Sequence, residues 1–332
     1  MKKIFFLLLS AVLLAACSKD DDATPVSAIT FDQTTTPSSV KVGESVQLTV
    51  TITPADATDK TITWSSSDTE VATVTEAGVV TAKKAGTAII TATASNGKSA
   101  TWTITVAPAA DPNLLPGKFT VAEGKTVQFT KGNLYWDGSA YKFEANQTDY
   151  PTSWDANHVS HFFWSQTPSV AYAQNYSDGS KSASDKFFCG EDNKITVEGT
   201  SGLFALSKDE WSYLISTRTD ATNLLKYGQT VGEKTNCLLI APDGFDTSKW
   251  HSSNSYTLEE VNSLGLVCLP AAGYRNGSSF GNGGSWGYCW SSTPSSGRSD
   301  DASFLIFNSG NVRTSLNGRN FGQSLRLVAL PQ

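Results

Sequence analysis

The chain has 332 residues, with 25 Lys and Arg against 31 Asp and Glu, for a formal net charge of −6. No basic patch interleaved with aromatics appears along it, so no nucleic-acid partner is expected. The length allows two or three domains, and beyond the first residues no apolar run is long enough for a membrane span.

Lys2 and Lys3 precede an apolar segment, residues 4–14, that is short for a membrane span and has the form of a targeting peptide. Leu14-Ala15-Ala16-Cys17 comes next. Small residues before a cysteine resemble the bacterial lipoprotein signal, in which the chain is cut before the cysteine and the thiol and new amine are acylated. The resemblance implies that residues 1–17 are a signal ending in a lipidated Cys17, so the membrane is met through this lipid only. Residues 18–25 begin Ser18-Lys19-Asp20-Asp21-Asp22 and read as a solvated acidic tether. They also resemble the acidic export tag of Bacteroidetes lipoproteins, which implies a lipid-anchored protein on the outer membrane, facing the cell exterior.

Residues 26–107 read as β throughout. Val46, Leu48, Val50 and Ile52 alternate with outward Gln47, Thr49 and Thr51. Pro54 to Asp56 turns the chain, Ile62 and Trp64 resume the phase, Gly78 turns into Val79 and Val80, and Asn96-Gly97 signals a hairpin before Trp102, Ile104 and Val106. Short strands at this spacing predict an all-β sandwich with Trp64 at the centre of its core. Val42-Gly43-Glu44-Ser45, TITPADATDKTITWSSSDTEVATV at residues 51–74 and GVVTAKKAGTAIITAT at residues 78–93 together resemble the bacterial Ig-like domain, group 2. Members of that family occur in surface proteins as spacers or adhesive modules. This segment has no His or Cys, and Asp56, Asp59, Asp68, Glu70 and Glu76 sit at or near turns, so a spacer is expected. Residues 108–113 carry Pro108 and Pro112 and form a short, semi-stiff linker.

In residues 114–332 the Thr-rich alternation gives way to Gly, Asn, Ser and aromatic residues. Strand pairs are expected around Glu123-Gly124 and around Asp137-Gly138. Trp136, Trp154, Trp164 and Trp250 read mainly as core fillers. His158 and His161 lie in an aromatic stretch where no Cys or carboxylate set completes a metal site, so they are read as packed or hydrogen-bonded. Ser207-Lys208-Asp209-Glu210 is a capping box that opens a helix burying Trp211, Leu214 and Ile215 and fraying near Ser216 to Arg218. A second helix is expected over residues 258–264 with Thr257 as its cap. Cys237 to Ile240 and Leu266 to Pro270 read as buried strands, which makes this domain α+β. Cys189, Cys237, Cys268 and Cys289 allow two disulfides in three pairings, with buried free thiols as the alternative.

Near the end, GYCWSST at residues 287–293 and SLRLV at residues 324–328 read as core strands bracketing a stretch of Ser, Asn, Gly and Arg that reads as display loops. With LSKDEW at residues 206–211 and LVCLPAAGYR at residues 266–275, these blocks resemble a group of Bacteroidetes exported domains. The group shares the C-type-lectin-like fold with formylglycine-generating-enzyme relatives and includes target proteins of diversity-generating retroelements. The resemblance implies a framework of Gly273, Tyr274, Arg275, Trp290, Ser291, Ser292, Arg326 and Val328. It implies ligand contact, at positions open to diversification, by Ser295, Ser296, Arg298, Ser303, Phe304, Arg313, Ser315, Leu316, Asn317, Arg319, Asn320 and Phe321. Such residues fit a binding surface, with Ser and Asn as adaptable hydrogen-bonding groups, Arg as a charged fork and Phe and Leu as apolar contacts. Trp286, among glycines, is added as a stacking candidate.

Two functions of the wider fold are not expected. The paired reactive cysteines of the formylglycine-generating enzymes have no counterpart beside Cys268 or Cys289, so no catalysis is expected. The Glu-Pro-Asn triplet of calcium-dependent lectins is missing, and Asp300 with Asp301 alone makes no calcium site, so no metal or cofactor is expected. The expectation is therefore a monomeric cell-surface lipoprotein that binds a protein or glycan ligand through its C-terminal face. A structural or adhesive protein with no dedicated pocket is the alternative.

Overall fold

Alternate residues of the first unit turn inward, and short strands stack them into a sandwich. The protein is described by a computed structural model covering residues 23–179 and 181–331, so the expected signal peptide, the lipidated Cys17 and tether residues 18–22 lie outside the described residues. The chain divides between Ala109 and Ala110.

The first unit carries a four-stranded sheet in the order Ser39–Lys41, Ser99–Ala107, Gly86–Ala94, Ile62–Ser66, a three-stranded sheet of Ser45–Gln47, Val79–Ala82 and Ala72–Val74, and the pair Ala28–Phe31 with Val50–Thr53. Strand Gly86–Ala94 shows the logic: Ala88, Ile90, Ala92 and Ala94 are buried, and Ile89 between them is exposed. Val80, Ala88, Ile90 and Ile104 are fully buried and hold the centre of the core. Trp64 was expected there. It is instead half-buried and touches both apolar clusters of the unit, because its indole lies over Gly78, where any Cβ would come within 2.9 Å of the ring.

The second unit is built around its last strand. A five-stranded sheet runs in the order Phe119–Ala122, Lys125–Phe129, Leu327–Ala329, Thr200–Ala205, Ile195–Val197. The strand Leu327–Ala329 therefore fills the gap between the opening hairpin and the middle of the unit, antiparallel to both neighbours. A four-stranded sheet places Ser255–Tyr256, Leu225–Val231, Lys234–Ile240 and Val267–Leu269 side by side, and Leu134–Trp136 pairs with Tyr141–Phe143. The expected capping box forms, and the Thr257 cap proves to be a second one. Ser207 and Glu210 cap helix Lys208–Ser212, and Thr257 and Glu260 cap helix Leu258–Ser263. The first helix does not fray as expected. It widens into a π turn, Tyr213–Thr217, that closes with the Arg218 amide donating to the Tyr213 carbonyl.

The stretch read as display loop is mostly sheet. Gly287–Pro294, Asp301–Phe307 and Val312–Gly318 form a three-stranded antiparallel sheet with Asp301–Phe307 in the middle. The reason is the apolar run from Ala302 to Phe307, which is buried on both faces. Leu305 and Phe307 join Cys289, Phe129 and Trp211 on one side. Ala302 and Phe304 join Trp290, Trp164 and Phe187 on the other. The outer strand and the turns that join the three strands are the parts most open to solvent.

Gly287 faces Phe307 across this sheet, and a Cβ at Gly287 would overlap the Phe307 ring. Gly287→Ala is expected to destabilise the second unit by roughly 1–3 kcal/mol, the usual cost of overpacking. Combining it with Phe307→Leu should cost less than the two single changes added together. Urea unfolding of the full chain checks this, and strict additivity would show that the two residues do not share the space.

Candidate binding face

Strand alternation sorts the side chains of the three-stranded sheet. Tyr288 opposes Ile306 and Trp290 opposes Phe304, while Ile306 opposes Arg313, Phe304 opposes Ser315 and Ala302 opposes Asn317. Directly opposed residues share a face. Arg313, Ser315 and Asn317 therefore stand on the same side as Tyr288, Phe304 and Ile306.

Aromatic rings run from the core out to that side. Trp290 is fully buried and meets Phe304 edge-on at 5.9 Å. Phe304 stacks on half-buried Tyr288 at 5.8 Å. Tyr288 meets Tyr274 edge-on at 5.6 Å, and Tyr274 meets Phe321 edge-on at 5.4 Å. The Tyr288 hydroxyl accepts from the Asn282 side-chain amide at 2.8 Å. The outer rings expose an apolar body with a polar tip, a composition suited to a surface that alternates between water and a partner. Arg313 stands beside them, solvent-exposed.

The framework beneath is held by buried cations. Arg275 is fully buried between Phe163 and Trp154, 4.1 and 4.7 Å from the ring centres. It donates to the carbonyls of His161, Ala173, Gln174 and Gly277, which fixes the hairpin carrying Tyr274. His161 is buried as well. Its Nε2 donates to the Ala272 carbonyl at 3.1 Å and its ring meets Phe280 edge-on at 5.1 Å. His158 contacts Glu144 at 2.8 Å.

The thirteen expected contact residues fall into distinct places. Arg313, Ser315, Asn317 and Phe321 come together around the aromatic ladder. Asn320 is exposed in the turn just before Phe321, and Trp286 is half-buried, with its carbonyl accepting from the Gly273 amide at 2.9 Å. Leu316 is 50% exposed but lies on the opposite face, in phase with Thr314, whose hydroxyl meets that of Ser212. Ser296 and Arg298 are exposed in the turn of residues 295–300, where Arg298 pairs with Asp301 at 3.0 Å. Four residues need correction, because they are buried. Ser295 accepts the Arg298 amide inside its turn, Ser303 lies on the core side of the middle strand, Phe304 is part of the aromatic core, and Arg319 is fully enclosed. Arg319 lies over the Trp164 ring and donates to Asp185 and to the Ser182 and Asp301 carbonyls, which is a structural fork rather than a displayed one. Tyr288 and Asn282 are on the face and were missed, and Tyr274, read as framework, is also on it. Tyrosine next to glycine at a strand end was the available signal, since its polar tip favours the rim of a core.

Among the described residues Cys189, Cys237, Cys268 and Cys289 are buried free thiols, the second of the two alternatives. Burial pushes Cys289 up to about 11 and raises Cys189 and Cys268 well above the ordinary thiol range. Asp300 and Asp301 each face a cation, Lys181 and Arg298. Among the described residues no group of three or more His, Cys, Asp and Glu gathers that could hold a metal ion.

Comparison with known proteins bears on the start of the chain and on the first unit. Residues 25–105 match the bacterial Ig-like domain (group 2), and residues 1–18 match the prokaryotic membrane lipoprotein lipid attachment site. The chain thus has an N-terminal all-β Ig-like domain followed by a mixed α+β unit, and its start is that of a membrane-anchored lipoprotein. Among solved structures, an intimin mutant from EHEC O157:H7 is 23% identical over 26% of this chain and 44% of its own, with a TM-score of 0.19. An intimin–Tir90 complex gives 21% identity over 28% and 52%, with a TM-score of 0.20. Domains 1–6 of the surface layer protein SbsC give 17% identity over 32% and 16%, with a TM-score of 0.22. The chain spans about half or less of each of these proteins. No curated protein sequence matches the chain.

Burial holds His161 neutral, with its pKa lowered from 6.5 to about 4. The unfolded chain takes up a proton near pH 6.5 that the folded chain refuses, so this contribution is complete above pH 6.5 and is lost as pH falls towards 4. The second unit should lose on the order of 2 kcal/mol at pH 5 relative to pH 7 through this group. His161→Gln should flatten that slope, as measured by urea unfolding at the two pH values.

Proposed function

We propose that the protein is an adhesive surface lipoprotein whose second unit contacts an external macromolecule through the face built on Tyr274, Tyr288, Phe321 and Arg313. One observation carries this reading: a continuous aromatic ladder leaves a buried core and ends half-exposed among Arg, Ser and Asn side chains. Such a face suits contact with a broad protein or glycan surface, aromatic and Arg groups being the usual anchors of interfaces. This favours the adhesive alternative over a dedicated ligand pocket at this face. In that reading the Ig-like unit is a spacer between the lipid at Cys17 and the adhesive unit, and the acidic tether supports display on the exterior of the outer membrane.

The C-type-lectin-like reading of the second unit is supported by the strand Leu327–Ala329, which inserts between Lys125–Phe129 and Thr200–Ala205 and so joins the two ends of the unit. Diversification by a retroelement, which the resemblance implies, is limited by burial. Rewriting Ser303, Phe304 or Arg319 would break packing or leave buried polar groups unpaired. The exposed or half-exposed Arg313, Ser315, Asn317, Asn320 and Phe321 could be rewritten at small cost to the fold.

The test displays the full chain on cells and measures adhesion to arrays of surface proteins and of glycans. Tyr274→Ala and Arg313→Ala together should weaken the dominant interaction by about tenfold or more, while Leu316→Ala on the opposite face should leave it unchanged. Equal binding by the double variant would remove this face from the function.

A further inference from the structure

A second site lies on a different part of the second unit. Where the π turn Tyr213–Thr217 ends, a cleft of about 460 Å³ opens, lined by Tyr213, Arg218, Asp220, Asn223, Asp243 and Phe245 among others. That volume falls within the range of about 300–1,000 Å³ common for small-molecule sites. π turns inside helices occur often at functional sites, because the extra residue re-aims the chain beyond it. Here the turn delivers Arg218 to the cleft, where the residue is only 3% exposed.

The cleft is polar in a specific way. Arg218 donates to Asp243 at 3.1 Å and to the Ala241 carbonyl at 2.9 Å, and the Thr120 hydroxyl donates to the other oxygen of Asp243 at 2.7 Å. These three residues form a fixed base. The Nε–H of Arg218 has no acceptor among the described residues. By contrast, the side chains of Asp220, Asn223, Thr219 and Thr247 and the Tyr213 hydroxyl make no hydrogen bond to any described residue. Donors and acceptors are thus gathered and left unengaged around one space, with the rings of Tyr213 and Phe245 alongside.

The charges narrow the choice of ligand. One guanidinium faces two carboxylates, so the lining is net negative and disfavours phosphates and carboxylates. Both oxygens of Asp243 are already engaged, which leaves Asp220 as a lone carboxylate, too few hard ligands for a divalent cation. A neutral polyhydroxylated ring matches this chemistry: its hydroxyls can donate to Asp220 and Asn223 and accept from Asn223, Thr219 and Thr247, and an apolar sugar face suits an aromatic ring.

We propose that this cleft binds a neutral monosaccharide unit, independently of the adhesive face. The experiment records saturation-transfer NMR on the full chain in detergent micelles with glucose, galactose, mannose and N-acetylglucosamine, each added alone. At least one should give a signal that falls about fivefold or more in Asn223→Ala and in Asp220→Asn, while melting stays unchanged because both residues are exposed. Tyr274→Ala should leave the signal intact, which separates this site from the adhesive face. The idea is overturned if none of the four sugars gives a signal, if the signal survives Asn223→Ala combined with Asp220→Asn, or if inorganic phosphate displaces the sugar.

Discussion

The buried guanidinium of Arg326 is the point on which the second unit closes. It is fully enclosed, and its N–H groups reach the Asn133 side chain, the Thr130 carbonyl, both the side chain and the carbonyl of Gln147, and the Cys268 carbonyl. These acceptors belong to segments far apart in sequence, and Arg326 stands next to the strand that fills the middle of the five-stranded sheet. Burial lowers its pKa to about 10, which still leaves it charged at neutral pH. No carboxylate among the described residues pairs with it. The charge is spread over neutral oxygens in the interior, where an acceptor without a donor is costly. Gln147 extends the same net by accepting the Cys268 amide and donating to the Leu266 carbonyl.

Arg275 and Arg319 repeat this device elsewhere. Arg275 lies between two aromatic rings and donates to four main-chain carbonyls, and Arg319 lies over Trp164 and divides its donors between the Asp185 carboxylate and the Ser182 and Asp301 carbonyls. A unit with so much irregular chain has many carbonyls that no ladder satisfies, and a planar fork of five donors reaches several at once. The adhesive face depends on this. Tyr274 sits in a hairpin that Arg275 holds, and the turn leading to Phe321 begins at Arg319. The rings at the surface are thus fixed by the strands that carry them and by cations beneath.

This explains which features were legible in the amino-acid sequence. Period-two alternation exposed the strands of the first unit, and the Ser207–Glu210 spacing and the Thr257 cap exposed both helix starts, because these signals are local. The π turn at Tyr213 was not legible, since its cause is tertiary: Trp211, Leu214 and Ile215 pack on the same core on which Arg218 must reach Asp243. The polar stretch after Thr293 was misread for a related reason. Gly, Ser and Asn dominate its composition, yet the six residues from Ala302 to Phe307 contain enough apolar surface to form a strand covered on both faces. Arg319 looked like a displayed fork because an arginine in a polar context normally stays in water. Only the three-dimensional position of Trp164 and Asp185 makes its burial favourable.

Phe304 shows how tightly surface and core are joined. Its ring is stacked on Tyr288, which reaches solvent, and meets Trp290, whose indole donates to the Phe162 carbonyl at 2.7 Å deep in the unit. A change at Phe304 would therefore alter the pose of Tyr288 and, through it, of Tyr274. The neighbouring strand is different. Arg313 is exposed on the outer strand of the three-stranded sheet, so its side chain varies without disturbing the ladder. The face thus combines a rigid aromatic stripe, whose geometry is inherited from the core, with an adjustable polar strand. Affinity would reside in the stripe and partner choice in the strand.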